Sequence, residues 1–245
     1  MFEDKYFYER RFEILINDAF RFAKKASEAF EKEDFDELEL FSRSSVFITT
    51  LLLECAANCC LHTIDLSNKF GEDIDKLPFL SKYEFYLMNV DKTKKIDRGC
   101  QEFQNASELK SIRDMIVHPK VKRAKWERID DNRSQIDFGQ TNLLKIPYSI
   151  EEWNLTDIQT SLRVACAFLD YFFRVVCLLT PNQVVDLLLS METYSPNKKH
   201  IEEYSLPNSW KDAQNKWALR LQFLGIESFF ENFEVEDPLK VSCST

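Results

Sequence analysis

Apolar positions recur every three or four residues over most of the chain, the spacing of amphipathic helices. Residues 3–32 place Phe12, Ile16, Phe20, Phe22, Ala26 and Phe30 on one stripe, which predicts a first long helix. The charged connector Glu31–Asp34 ends it. Residues 35–65 predict a second helix whose later part, SVFITTLLLECAANCCLHTI, is apolar on nearly all sides. That stretch has about the length of a bilayer span. Glu54, Asn58, His62 and three Thr make it a poor lipid-facing helix. A helix apolar all round is expected at the centre of a bundle or in a dimer interface.

Residues 67–97 are mixed, broken by Gly71, Pro78 and the run DKTKKID, with FLSKYEFYLM as a short helix. The third long helix is read over residues 101–120, QEFQNASELKSIRDMIVHPK, with Phe103, Ala106, Leu109, Ile112 and Ile116 on its apolar stripe. Pro119 disfavours a helical conformation at His118, so the helix ends there. Beyond it, the alternating runs AKWER and SQIDFG flank the turn-like DDNR and predict a small hairpin or ordered loop within 120–150. Trp126 in that insertion is expected to pin it to the bundle, with a stacking surface for a base as the other reading.

Thr156 and Gln159 have capping-box spacing and predict a fourth helix running to Thr180. Thr180, Pro181 and Gln183 predict the start of a fifth. Residues 195–208 read as a connector. Ser209 and Asp212 open a last helix through Trp217 and Leu221, with Gly225 as its cap and a loose tail after Glu236. The expected fold is all-α. A helical bundle spans residues 1–180, with the insertion 120–150, and a helical extension over 181–245 packs on it.

Composition sharpens this picture. Only 4 Gly and 7 Pro in 245 residues leave few helix breakers. The 7 Cys have no framework spacing and mostly fall in apolar helical text, so they read as reduced, buried thiols of a cytoplasmic protein. Cys55, Cys59 and His62 lack a fourth ligand, and with 3 His in all no metal site and no cofactor is expected. The opening MFEDKYFYERRFE is charged throughout and reads as no signal peptide. A net charge of −9 argues against a whole-surface nucleic-acid binder. Locally the balance reverses: Lys110, Arg113, Lys120, Lys122, Arg123, Lys125 and Arg128 face only Asp114 and Glu127. This is either a patch for a phosphate-rich ligand or an ordinary solvated surface.

Candidate chemistry concentrates at the end of the third long helix. His118 there faces the negative pole of the helix dipole, which favours its protonated form. Asp114 lies one turn back, about 40° around the axis, within reach of an ion pair with the imidazole. Arg113, about 140° around, is long enough to extend past the helix end. An Arg neutralises phosphate with paired hydrogen bonds, and a His moves protons near neutral pH. The plain alternative is a C-terminal His favoured by the dipole beside an Arg on a solvated face. No Gly-rich phosphate loop, dinucleotide fingerprint or Ser nucleophile elbow occurs.

The segment ELKSIRDMIVHPK, together with the apolar SRSSVFITTLLLECAANCCL upstream, resembles the HEPN superfamily of small helical domains. That family carries an Arg, usually a polar residue next, then four to six residues and a His at the end of its third core helix. Arg113, Asp114 and His118 match. The resemblance covers roughly residues 1–180 as architecture and some twenty residues as motif. It implies an HEPN-like antiparallel bundle and a metal-independent endoribonuclease working at a composite site in a homodimer. Toxin, antiphage or stress-response RNA cleavage would be its setting, and an antitoxin or other protein a possible partner class. His118 would be general acid or base, Arg113 would stabilise the phosphate, and Asp114 would orient His118 or shape the site. Lys110, Lys120, Lys122, Arg123 and Lys125 would hold the RNA. Asp114 stands where many members carry Asn or His, and Lys120 where the toxin branch often has Tyr. The second reading is therefore a non-catalytic HEPN-like module that binds a nucleotide, RNA or a partner protein.

Overall fold

The computed structural model describes residues 9–121, 123, 126–128, 134–189 and 207–226. Within these the fold is almost wholly helical. α1 (Phe12–Glu31) and α2 (Phe35–His62) form a tight helical hairpin. Asp34 caps α2 by accepting from the Glu37 N–H at 3.2 Å, and Glu33 takes a left-handed φ of 58° in the three-residue turn. α3 (Asn68–Asp75) and α4 (Phe79–Val90) follow, then α5 (Gln101–Val117). After the insertion come α6 (Leu155–Asp170), a π-helical continuation Tyr171–Val176, α7 (Pro181–Leu188) and α8 (Asn208–Trp217).

α2 is the axis of the bundle. It packs against α1, α4, α5, α6 and α7, which explains why its sequence is apolar nearly all round. Among the described residues it is the one helix long and apolar enough to cross a membrane, and most of its apolar window is buried inside the protein. Several of its buried polar groups are satisfied internally, while the buried Ser42 Oγ has no hydrogen-bond partner among the described residues. Ser45 Oγ donates to the Ala19 carbonyl at 3.0 Å, and the Leu53 carbonyl accepts from the Tyr83 hydroxyl at 2.7 Å. Around Tyr83 lie Phe168 and Phe172, with ring centroids 5.1 and 4.5 Å away in edge-to-face contact.

Several expectations are corrected. Residues 9–11 are not helical and α1 begins at Phe12; the part of the expected first helix over residues 3–8 lies outside the described residues. Phe30, read as core, is 57% exposed, while Ala19, Ala23 and Ala29 line the interface with α2. Small residues there let the two hairpin helices approach closely. Gly71 does not break the chain but sits inside α3. The box that opens α6 is Asn154 with Asp157, two residues before the pair read from sequence: Asn154 is extended, and Thr156 is already helical. The box at Thr180 and Gln183, with Pro181 in the first turn, forms as read. α8 ends at Trp217, because Ala218 turns left-handed at φ 51°, and Gly225 caps a separate 3-10 turn. The connector 195–206 and the tail after Glu236 lie outside the described residues.

Residues 207–226 pack back on the bundle. Trp210 is fully buried and its indole N–H donates to Asn17 of α1 at 2.6 Å. The insertion holds a short antiparallel pair, β1 (Trp126–Arg128) and β2 (Ser134–Ile136). Trp126 does not pin it: the side chain is 70% exposed. The anchor is instead the loop that follows, where Leu144 and Ile146 enter the core.

Candidate functional site

α5 is fixed by one face and leaves another for chemistry. Phe103, Ala106, Leu109 and Ile112 are buried against the bundle, as their spacing requires. Full burial of a Leu or Ile is worth about 1.5–3 kcal/mol relative to exposure, so these residues set the rotation of the helix. The last turn closes when the His118 N–H donates to the Asp114 carbonyl at 3.0 Å. At φ −121° and ψ 65°, His118 has left the helix, and Pro119 follows.

With α5 so rotated, Lys110, Arg113, Asp114 and His118 line one cleft of about 730 Å³. Glu54 of α2 and the corner between α3 and α4, from Asp75 to Phe79, form the facing wall. Lys120 and Tyr148 complete it. The polar lining mixes the cations Lys76, Lys110, Arg113 and Lys120 with the carboxylates of Glu54, Asp75 and Asp114.

The charges are paired in a definite way. Arg113 Nη2 donates to Glu54 Oε2 at 2.6 Å, and its Nη1 donates to Asp114 Oδ1 at 3.0 Å. Lys110 Nζ donates to the other oxygen of Asp114. Partial burial works against the ionised form of Asp114, but the hydrogen bonds from Lys110 and Arg113 outweigh it and hold the carboxyl below its usual range. Arg113 Nε is buried and has no hydrogen-bond partner among the described residues. Behind the cleft wall Lys82 of α4 is only 2% exposed, and its ammonium donates to Asn58 of α2 at 2.7 Å. Burial pushes its pKa down; Glu54 and Asp75 act in the opposite sense, and Arg113 adds to the fall.

Of the residues predicted from sequence, Arg113, Asp114, His118, Lys110 and Lys120 meet in the cleft. Arg123 is exposed and does not line it, and Lys122 and Lys125 lie outside the described residues. Two expected contacts are replaced. Asp114 is engaged by Lys110, one turn back on its own face, and by the adjacent Arg113. His118 turns out of the helix, and among the described residues its side chain has no ion-pair partner. Arg113 reaches sideways to α2 rather than past the helix end. Among the described residues no group of three His, Cys, Asp or Glu side chains is placed to hold a metal.

Glu54, Asp75, Lys82 and Tyr148 were not read from sequence as parts of a site. Glu54 carried a signal: it is the one formal charge between Ser45 and Ile64, on a helix the pattern assigned to the core. Asp75 and Tyr148 come from segments without periodicity, so nothing in their spacing marked them. Comparison with known proteins finds no family model, no curated protein and no solved structure that matches the chain.

Proposed function

We propose that the chain is a metal-independent endoribonuclease of HEPN type, acting in the cytoplasm in toxin, antiphage or stress-response RNA cleavage. The observation that carries this reading is that Arg113 and His118 line one cleft together with Lys110 and Lys120. RNA supplies its own nucleophile, the 2′-hydroxyl beside each phosphate. Cleavage then needs a base for that proton, an acid for the departing 5′-oxygen, and positive charge on the phosphorane. His118 serves as one proton carrier, and Arg113 offers two parallel hydrogen bonds to phosphate once it releases its carboxylates. One His cannot stand on both sides of a phosphate. A second copy related by a two-fold axis supplies the other.

Purified protein in EDTA should therefore cut single-stranded RNA and leave 2′,3′-cyclic phosphate ends. Intact RNA under these conditions would overturn the nuclease reading.

A second reading has its own support. Arg113 is bound by Glu54 and Asp114, so the phosphate-binding cation starts out neutralised. On that ground the alternative is a HEPN-like module that binds nucleotide, RNA or a protein without turnover. It predicts salt-sensitive RNA binding with no cleavage products.

A further inference from the structure

The cleft has an aromatic wall that the phosphate chemistry does not use. Residues 139–148 form a closed loop within the insertion, between β2 and α6. Thr141 N–H donates to the Ile146 carbonyl at 2.9 Å, Tyr148 N–H donates to the Gly139 carbonyl at 2.8 Å, and Gln140 bridges to Pro147. Gly139 at φ 75° and Lys145 at φ 58° take the left-handed turns this closure needs.

The loop is bolted to α5. Both carboxylate oxygens of Glu108 accept from the Leu143 N–H, at 2.8 and 3.0 Å, and one also accepts from the Leu144 N–H at 2.9 Å. Leu144 and Ile146 are buried beneath, and the Trp153 indole donates to the Pro147 carbonyl at 2.8 Å. The result is a half-buried Tyr148 ring that lies over Gly139 and borders the cleft of Arg113 and His118. Pro78 and Phe79 also line that cleft. Its volume falls in the range of about 300–1,000 Å³ typical of small-molecule sites, and it combines apolar walls with a few polar anchors.

We infer that Tyr148 is the residue against which a nucleobase rests when the adjoining phosphate sits on Arg113 and Lys110. The cleft therefore reads one nucleotide unit, base and phosphate together. This rests on the phosphate-binding reading above and names the part of the ligand it leaves open. A ring held in place by backbone hydrogen bonds and a buried loop has little conformational freedom left to lose on stacking. Every base has a π-face, so the contact tolerates sequence while demanding a base.

The test titrates the full chain with adenosine 5′-monophosphate and with ribose 5-phosphate, by calorimetry. The parent is expected to bind the nucleotide roughly 10-fold more tightly than the sugar phosphate. Tyr148→Leu should lose that preference while keeping its affinity for ribose 5-phosphate. Tyr148→Phe should keep the preference, since the face and not the hydroxyl makes the contact. If the parent binds ribose 5-phosphate but shows no preference for the nucleotide, the base contact is wrong and the phosphate site stands. If Tyr148→Leu weakens both ligands equally, or neither, Tyr148 does not touch a base. If the parent binds neither compound, the phosphate-binding reading fails and this inference falls with it.

Discussion

Arg113 of α5 and Glu54 of α2, 59 residues apart in the chain, meet in a 2.6 Å hydrogen-bonded ion pair on the wall of one cleft. Both side chains are roughly four-fifths shielded from solvent, so water screens the pair weakly. A phosphate that takes Arg113 must displace this carboxylate or share the guanidinium with it. Glu54→Gln removes the competing charge and should tighten RNA binding several-fold, measured by fluorescence anisotropy at fixed salt. The same change should cost about 1–3 kcal/mol of stability by urea titration, since it leaves the largely shielded Arg113 short of a charged partner. Unchanged or weaker RNA binding in a folded variant would show that Glu54 does not compete with the ligand.

Asp114 gives the charge network a pH signature. Its folded pKa lies below the ordinary 3.8, so its ionised form favours the folded state. That contribution is fully present above the unfolded value and is lost as pH falls through the lowered folded value. The stability difference between the parent and Asp114→Asn should be flat near neutral pH and shrink below about pH 4–5. A difference that instead grows on acidification contradicts the pairing with Lys110 and Arg113.

The rotation of α5 depends on its buried stripe. Leu109 and Ile112 are fully shielded. Leu109→Ala should destabilise the chain by about 2–5 kcal/mol in a urea titration, through lost burial and the cavity left behind. Val117→Ala, on the exposed last turn, should stay within about 0.5 kcal/mol. Equal effects at the two positions would mean that the helix is not seated as described.

Glu108 ties the 139–148 loop to α5 through two backbone N–H groups. Glu108→Ala should leave the part-buried Leu144 N–H unmet, at about 1–3 kcal/mol, while water takes the exposed Leu143 N–H, and should speed proteolytic cutting within the loop. Unaltered protease resistance would show that the buried Leu144 and Ile146 hold the loop without it.

The bundle was legible because its signals are local. The stripe of Phe103, Ala106, Leu109 and Ile112 announced the seated face of α5, and Pro119 announced its end. Thr180, Pro181 and Gln183 announced α7 in the same way. The partners of the site were not legible, because they are set by tertiary contact. Nothing in the spacing of Glu54 and Arg113 places them side by side; the packing of α2 on α5 does so. Proximity in sequence likewise suggested that Asp114 would serve His118. Lys110 on the same helix face and Arg113 beside it take the carboxylate instead, and His118 turns away at the helix end. Trp126 misled for a related reason. An aromatic in a short strand reads as a packing residue, but the hairpin meets the bundle through Leu144 and Ile146 further along.

Cleavage as proposed depends on one proton carrier at the end of α5. It is tested most directly by the rate at which His118→Ala cuts single-stranded RNA in EDTA, relative to the parent at equal concentration. His118 is exposed, so the substitution should leave the fold intact, and a circular dichroism melt checks this. The expected loss is at least about 100-fold, the scale of a missing general acid or base. A variant that is folded and cuts as fast as the parent would contradict it.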